Sequence, residues 1–242
     1  HLERTVEATA LDVITRFYRR ANVLYAPNQE LCAMLEQRTG KPCNLMRRGV
    51  DTELFTPRRR TRAKGAGGLV LGYVGRLSIE KNVALLIQIE RQLESMGVGG
   101  IRFSIIGHGD EQELLRRELR AAKFNGVLRG EALAAGYADM DLLVFPSHTD
   151  TFGNVVLEAL ASGVPALVTS DGGPKFIVRD GQTGFVVPDE GFAGAIALLA
   201  RDPERLGEMS VSARRYALGC SWDAVFGLVY AGYGVEQERL IA

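Results

Sequence analysis

Cysteine is scarce. Cys32, Cys43 and Cys220 are the three in 242 residues, and no C-x-x-C occurs. An odd number cannot pair completely, so a disulfide framework is excluded and the residues read as free thiols of a reducing compartment. Histidine is equally rare, with three in the chain. Neither residue type clusters at ligand spacing, so no metal site is expected. Long apolar runs are missing too. The longest nearly apolar stretch, Phe192 to Ala200, falls well short of the roughly 20 residues that span a bilayer. The first residues, HLERTVEATALDVITRFYRR, form a charged helical pattern without the features of a secretory leader. There is no net charge, with 29 Lys+Arg against 29 Asp+Glu, whereas a nucleic-acid-binding domain is usually basic. The 28 glycines show no three-residue period and no heptads persist, which excludes collagen-like and coiled-coil architectures.

What remains is 46% hydrophobic and 24% charged, enough apolar surface to offset chain entropy in a globular fold. Charge is unevenly spread. Residues 1–66 carry 13 Lys/Arg and 7 Asp/Glu, and the remainder carries the opposite excess. The break falls at Pro57 to Gly68, PRRRTRAKGAGG, which has the composition of a solvated connector.

Beyond it, strands and helices alternate. Leu69 to Val74 is a continuous apolar run ending at Gly75, as a buried parallel strand should be. Helical spacing follows over Asn82 to Met96, with Leu85, Leu86, Ile89 and Leu93 on one face. Further strands are predicted at Ile101 to Ile106, Gly126 to Leu128, Leu142 to Phe145, Ala166 to Thr169 and Gly184 to Val187. Helices are predicted at Glu111 to Ala122, Ala132 to Ala138 and Asn154 to Ser162, and two or three more follow to the end. Such alternation means an α/β fold with a doubly wound parallel sheet, whose ligands lie beyond the carboxyl ends of the strands. The first 66 residues hold only two helices and two short strands, Asn22 to Ala26 and Asn44 to Met46. They read as the last third of another α/β domain. With His at residue 1, the chain is expected to begin within a longer protein.

Two segments carry chemistry. Gly75-Arg76-Leu77-Ser78-Ile79-Glu80-Lys81-Asn82 lies between a strand end and a helix start. Gly75 permits a sharp turn, and Arg76 and Lys81 set two cations beside a helix N-terminus, a field suited to a pyrophosphate. The same residues also fit an ordinary loop with two exposed cations. The second segment, Ser147 to Ala159, follows the strand LLVF and Pro146. It leaves Asp150 on the loop and places Glu158 on the helix, one turn after Asn154. One carboxylate can accept from a ribose and the other from sugar hydroxyls. The N–H groups of Phe152, Gly153 and Asn154 can face a phosphate. Alternatively Asp150 is a cap and Glu158 a surface residue, although Leu157 and Ala159 flank Glu158 on a very apolar helix.

Together these segments resemble the C-terminal, nucleotide-sugar-binding domain of the retaining GT-B glycosyltransferases of family 4, the glycosyl transferases of group 1. The G-R-x-x-x-x-K element is Gly75-Arg76 to Lys81. The E-x7-E element reads Asp150 to Glu158, followed by Ala159, Ala161, Gly163 and Pro165. Asp171-Gly172-Gly173-Pro174 and Asp180 to Phe185 resemble the family's GG loop and hairpin. Gly49 to Pro57 resembles the segment where the chain leaves the N-terminal domain. The similarity runs from about residue 22 to about residue 235. Asp150 departs from the pattern, being one methylene shorter than Glu.

The resemblance implies a GT-B enzyme with a Rossmann-like C-terminal domain. Residues 1–66 would be the end of an acceptor-side domain and linker, and 67–220 the nucleotide-sugar domain. Residues 221–242 would be a C-terminal helix able to cross back to the N-terminal domain. It implies a retaining hexosyltransferase, with only the donor site in this chain and its own activity in question. Arg76 and Lys81 would neutralise the diphosphate leaving group, Asp150 would hold the sugar, and Glu158 the ribose. Gly75, Gly107, Gly109, Phe152, Gly153 and Asn154 would approach the donor through the backbone. The stretch Val127-Leu128-Arg129-Gly130 would clamp the base edge, with Leu128 at its centre. The donor would be a UDP or GDP sugar. No cofactor or metal would be needed, and the acceptor would be a sugar, lipid or small polyol. The implied location is cytoplasmic, with peripheral attachment at the inner membrane face left open. A nucleotide-sugar epimerase and a non-catalytic nucleotide-sugar-binding module are the competing readings.

Other signals are set aside. Asp139-Met140-Asp141 has the D-x-D form of a metal motif but precedes its strand, away from the ligand edge. Gly107-His108-Gly109 lacks the third glycine of a dinucleotide fingerprint, with Gln112 in its place. His108 and His148 read as loop residues and Lys175 as solvated. Trp222, Val225, Phe226, Val229 and Tyr233 form a stripe read as core.

Overall fold

A computed structural model of the chain describes residues 11–63 and 67–232. They fall into two compact units, one of residues 11–49 with 222–232 and the other of residues 50–63 with 67–221.

In the first unit, a helix over residues 11–18 (α1) precedes strand β1 (Leu24–Ala26), helix α2 (Gln29–Thr39) and strand β2 (Cys43–Leu45). The strands pair in parallel, Tyr25 opposite Asn44. Asn28 caps α2 by accepting from the Leu31 N–H at 2.8 Å. Gly40, at φ 69°, ends the helix. Helix α9 (Trp222–Gly232) belongs to this unit, where the Tyr25 hydroxyl donates to the Val229 carbonyl at 3.1 Å. The Trp222 stripe is only partly core. Val225 is buried, but Trp222 and Phe226 stack on each other and stay well exposed. Tyr233 lies outside the described residues. Cys32, Cys43 and Cys220 form no disulfide. Burial and the adjacent Cys32 push the Cys43 thiol up to about 12.

The second unit is built on six parallel strands: β3 (Leu69–Val74), β4 (Ile101–Ile106), β5 (Ala122–Phe124), β6 (Leu142–Phe145), β7 (Ala166–Thr169) and β8 (Gly184–Val187). Their order is β5-β4-β3-β6-β7-β8. The strands β3 and β6 at the centre are apolar throughout because helices cover both faces. Helix α3 (Leu85–Ser95) packs on α7 (Phe192–Arg201). Helix α6 (Asn154–Ala161) packs on α5 (Gly130–Ala138) and α8 (Pro203–Leu218). Helix α4 (Gln112–Glu118) joins β4 to β5. The α/β doubly wound class predicted from the sequence is observed. Chain order runs outward in one direction from β3 and in the other from β6. The crevice between their carboxyl ends is therefore the topological switch point where such sheets bind ligands.

Three local predictions need correction. The strand placed at 126–128 lies at Ala122–Phe124, where Phe103, Ser104 and Ile105 of β4 offer a ladder. The helix predicted through Ala122 accordingly stops at Glu118. The α3 helix begins at Leu85, not Asn82, because Asn82 adopts a left-handed φ of 53° that no α-helix continues.

The segment 50–66 also departs from its predicted role. Its described residues, 50–63, belong to the second unit, and Arg60 and Arg62 are not solvated connector residues. Arg60 donates to Asp141 at 2.7 Å and to the Met140 carbonyl at 3.2 Å. Arg62 pairs with the other oxygen of Asp141, which also accepts from the Val70 N–H at 2.9 Å. The Thr61 N–H and hydroxyl both reach Asp139. Burial opposes ionisation of Asp139. The Thr61 hydroxyl, the Thr61 and Arg62 N–H groups and the Arg60 charge outweigh it, holding the carboxyl below the usual range. Of the D-x-D aspartates, Asp141 thus pairs with Arg60 and Arg62, and Asp139 holds the backbone of Thr61 and Arg62, at the amino edge of the sheet.

Candidate functional site

Gly75 follows β3 at φ 152° and opens the crevice. Behind it, buried Tyr73 stacks on Phe145 of the neighbouring strand, with ring centroids 6.3 Å apart. The Tyr73 hydroxyl donates to the Arg76 carbonyl at 2.7 Å and so fixes the turn. Burial, and then the Asp150 charge, raise this phenol above its ordinary range.

The turn over Ile79–Lys81 is a short 3-10 helix that carries Lys81 towards β6. The Lys81 ammonium meets Asp150 Oδ2 at 2.8 Å, and 14% of its side chain is exposed. The pair joins the loop after β3 to the loop after β6, across the switch point. The two cations do not share a position: Arg76 lies on the surface and pairs with Glu80 at 2.7 Å.

Glu158 is half-buried on α6. It accepts from the Tyr137 hydroxyl of α5 at 2.8 Å rather than joining the Lys81–Asp150 pair. Burial raises its carboxyl above the usual range, and the tyrosine hydrogen bond offsets only part of that. Tyr137 has no exposed surface. Its own burial, then the charge of Glu158 and its bond to that carboxylate, hold the phenol well above its ordinary value.

The glycines act chiefly on backbone. A Cβ on Gly107 would lie 1.8 Å from the Gly75 carbonyl oxygen, and one on Gly109 2.3 Å from that of Leu77. Gly75 N–H donates to Ile106 at 3.0 Å, and Leu77 N–H donates to His108 at 3.1 Å. The loops after β3 and β4 are therefore packed backbone against backbone. The loop of Asp150 is held likewise. Gly173 N–H donates to the Asp150 carbonyl at 2.7 Å, and a Cβ on Gly173 would lie 1.9 Å from Thr151 O. Gly153, at φ 82°, precedes α6, whose first residue Asn154 is exposed. Phe152 is half-buried beside it. Leu128 packs its side chain on the core, and exposed Val127 precedes it.

The spacing rules pass over three participants. Asn82 donates to Asp189 Oδ2 at 2.9 Å and lies 3.1 Å from His148 Nε2. His148 sits between two carboxylates, Asp171 at 3.0 Å and Asp189 at 3.2 Å. Tyr137 stands inside an apolar helix. Asparagine's tolerance of left-handed backbone beside Lys81 is the one legible hint among them. His108 bonds Gln112 at 2.9 Å, and Lys175 lies over the Phe176 ring at 4.9 Å.

A GDP-mannose-dependent alpha-mannosyltransferase of Mycobacterium tuberculosis is 34% identical over 201 residues, covering 79% of this chain and 51% of that protein. A D-inositol 3-phosphate glycosyltransferase of Kribbella flavida is 32% identical over 216 residues, covering 80% and 51%. The chain thus spans about half the length of the curated relatives it matches. Anabaena HepE in complex with UDP superposes with a TM-score of 0.79 at 20% identity, covering 94% of this chain and 68% of that one. That likeness shows the GT-B fold. No helix among the described residues is long and apolar enough to cross a membrane. The sequence model of the glycosyl transferases group 1 matches residues 68–202, more than half of the chain, and the chain belongs to that family.

Proposed function

We propose that the second unit is the donor half of an enzyme that moves a sugar from a nucleoside diphosphate to an acceptor hydroxyl. The observation that carries this reading is the meeting of Lys81 and Asp150 at 2.8 Å across the switch point of the sheet. The Lys81 ammonium neutralises the charge that grows on the diphosphate as the anomeric C–O bond breaks, which is stabilisation of the transition state. The N–H groups of Gly153 and Asn154 add to it. Arg76 swings from Glu80 to the same phosphates, Asp150 turns to the sugar, and Glu158 accepts from the ribose. The acceptor oxygen bonds to the anomeric carbon on the face the diphosphate leaves. Its proton passes to the departing phosphate oxygen, and configuration is retained. No metal takes part in this scheme. The acceptor is a sugar, a polyol or a lipid bound by the rest of the protein, so the 242-residue chain binds donor but transfers sugar poorly.

Calorimetry with GDP and UDP tests the reading, GDP because curated relatives are named for GDP-mannose and UDP because it occupies HepE. The folded chain is expected to bind one of them without metal, and Lys81→Ala to weaken that binding about tenfold or more. A folded chain that binds neither would overturn it.

A further inference from the structure

Asn82 is the non-glycine residue with a left-handed φ among those described, at 53°. Glycine would meet that backbone at lower cost, so what asparagine adds is its amide. That amide reaches out of the loop after β3 to two others. Its nitrogen lies 2.9 Å from Asp189 Oδ2 beyond β8. On the loop after β6 it lies 3.1 Å from His148 Nε2 and 3.3 Å from the Pro146 carbonyl. His148 continues the tie to Asp171 beyond β7 at 3.0 Å. The turn that ends at Asn82 is internally closed, with Lys81 N–H on Ser78 and Asn82 N–H on Ile79, at 3.0 and 2.9 Å. Whatever fixes the Asn82 side chain therefore fixes the preceding Lys81. Besides the Lys81–Asp150 pair, the exposed Thr149 hydroxyl joins the same two loops, donating to the Glu80 carbonyl at 3.2 Å.

We propose that Asn82 is a positioning residue: its amide, held by Asp189 and His148, sets the Lys81 ammonium where the donor diphosphate arrives. This rests on the donor reading of the site. Removing the amide while keeping the backbone leaves Lys81 charged and held by Asp150 alone, and once a ligand competes for it part of its binding contribution goes into ordering it.

The test is a double-variant cycle read by calorimetry with GDP and UDP on the full chain. Asn82→Gly keeps the left-handed turn and is expected to weaken nucleotide binding about tenfold with the melting temperature nearly unchanged. In a Lys81→Ala background the same change is expected to cost nothing more, because its effect runs through Lys81. Asn82→Asp sets a carboxylate against Asp189 and is expected to bind more weakly still. Adding Asp189→Asn to it restores a donor–acceptor pair and recovers part of the loss. If the Asp variant does not fold, the glycine cycle decides. An Asn82→Gly variant that binds like the parent, or that loses as much with Lys81 absent, overturns the positioning role while Lys81→Ala still weakens binding. A Lys81→Ala variant that binds like the parent overturns the donor reading and this inference with it.

Discussion

The Lys81 ammonium lies 2.8 Å from the Asp150 carboxylate although 69 positions separate them in the chain. Each is the other's counter-ion before any ligand arrives. In the proposed function a diphosphate competes with Asp150 for the ammonium, and the sugar attached to it gives the released carboxylate hydrogen-bond donors in return.

Asp150→Ala separates the two effects. Without its internal competitor, Lys81 is expected to bind the free nucleoside diphosphate about tenfold more tightly, near 1.4 kcal/mol. The intact nucleotide sugar is expected to lose whatever advantage it held over the diphosphate in the parent. Titrating both ligands into both proteins checks this. A variant that keeps the parent's preference for the sugar-bearing ligand would remove Asp150 from the sugar site.

Glu158 pays for its place at the site in stability. An unfolded chain releases this proton near the ordinary carboxylate value, whereas the folded chain holds it to higher pH because of burial. The folded state therefore binds the extra proton between those two values, and stability falls as pH rises through that window. Glu158→Gln removes the penalty. Its melting temperature is expected to match or exceed the parent's at pH 7 and to fall less as pH rises from about 4. Nucleotide affinity is expected to drop in the same variant. Loss of stability at pH 7 without loss of affinity would mark the residue as structural.

The arginine clamp at the other edge of the sheet has the opposite pH sign. Asp139 is held below the usual carboxylate range in the fold. Its contribution is present above the unfolded value and is lost as pH falls through the folded one. Asp139→Asn should be less stable than the parent at pH 7 and less sensitive to acid below about pH 4. Asp141→Asn, which strips the partner of both Arg60 and Arg62, should cost more, about 3 kcal/mol. Urea unfolding at the two pH values reads both variants, and the donor affinity of each should be unchanged.

Much of this architecture is legible in the residues alone. The strands β3, β4, β6, β7 and β8 coincide with their predicted spans; β3 and β6 are legible because strands buried on both faces are unbroken apolar runs. Strand β5 is only Ala-Lys-Phe at the sheet edge; three residues carry no periodicity, and their pairing depends on β4. The clamp of Arg60 and Arg62 is hidden for another reason. Basic residues next to glycine have the composition of a linker, and the aspartates that hold them lie some 80 positions away. At the site, Lys81, Asp150 and Glu158 stand out as charges at strand ends and in an apolar helix. Tyr73 and Tyr137 do not, since a tyrosine inside an apolar run looks like core until its hydroxyl is seen to meet Arg76 or Glu158.

The backbone contact of Gly107 with Gly75 and of Gly109 with Leu77 leaves no room for side-chain atoms to slide or adjust between those two loops. They must travel as one piece. Under the proposed function, a donor arriving there would meet a surface already in shape and lose little affinity to ordering it. On that reading, variation in which sugar or base is accepted would come from side chains around this rigid floor, and an alanine at either glycine would disturb the whole floor at once.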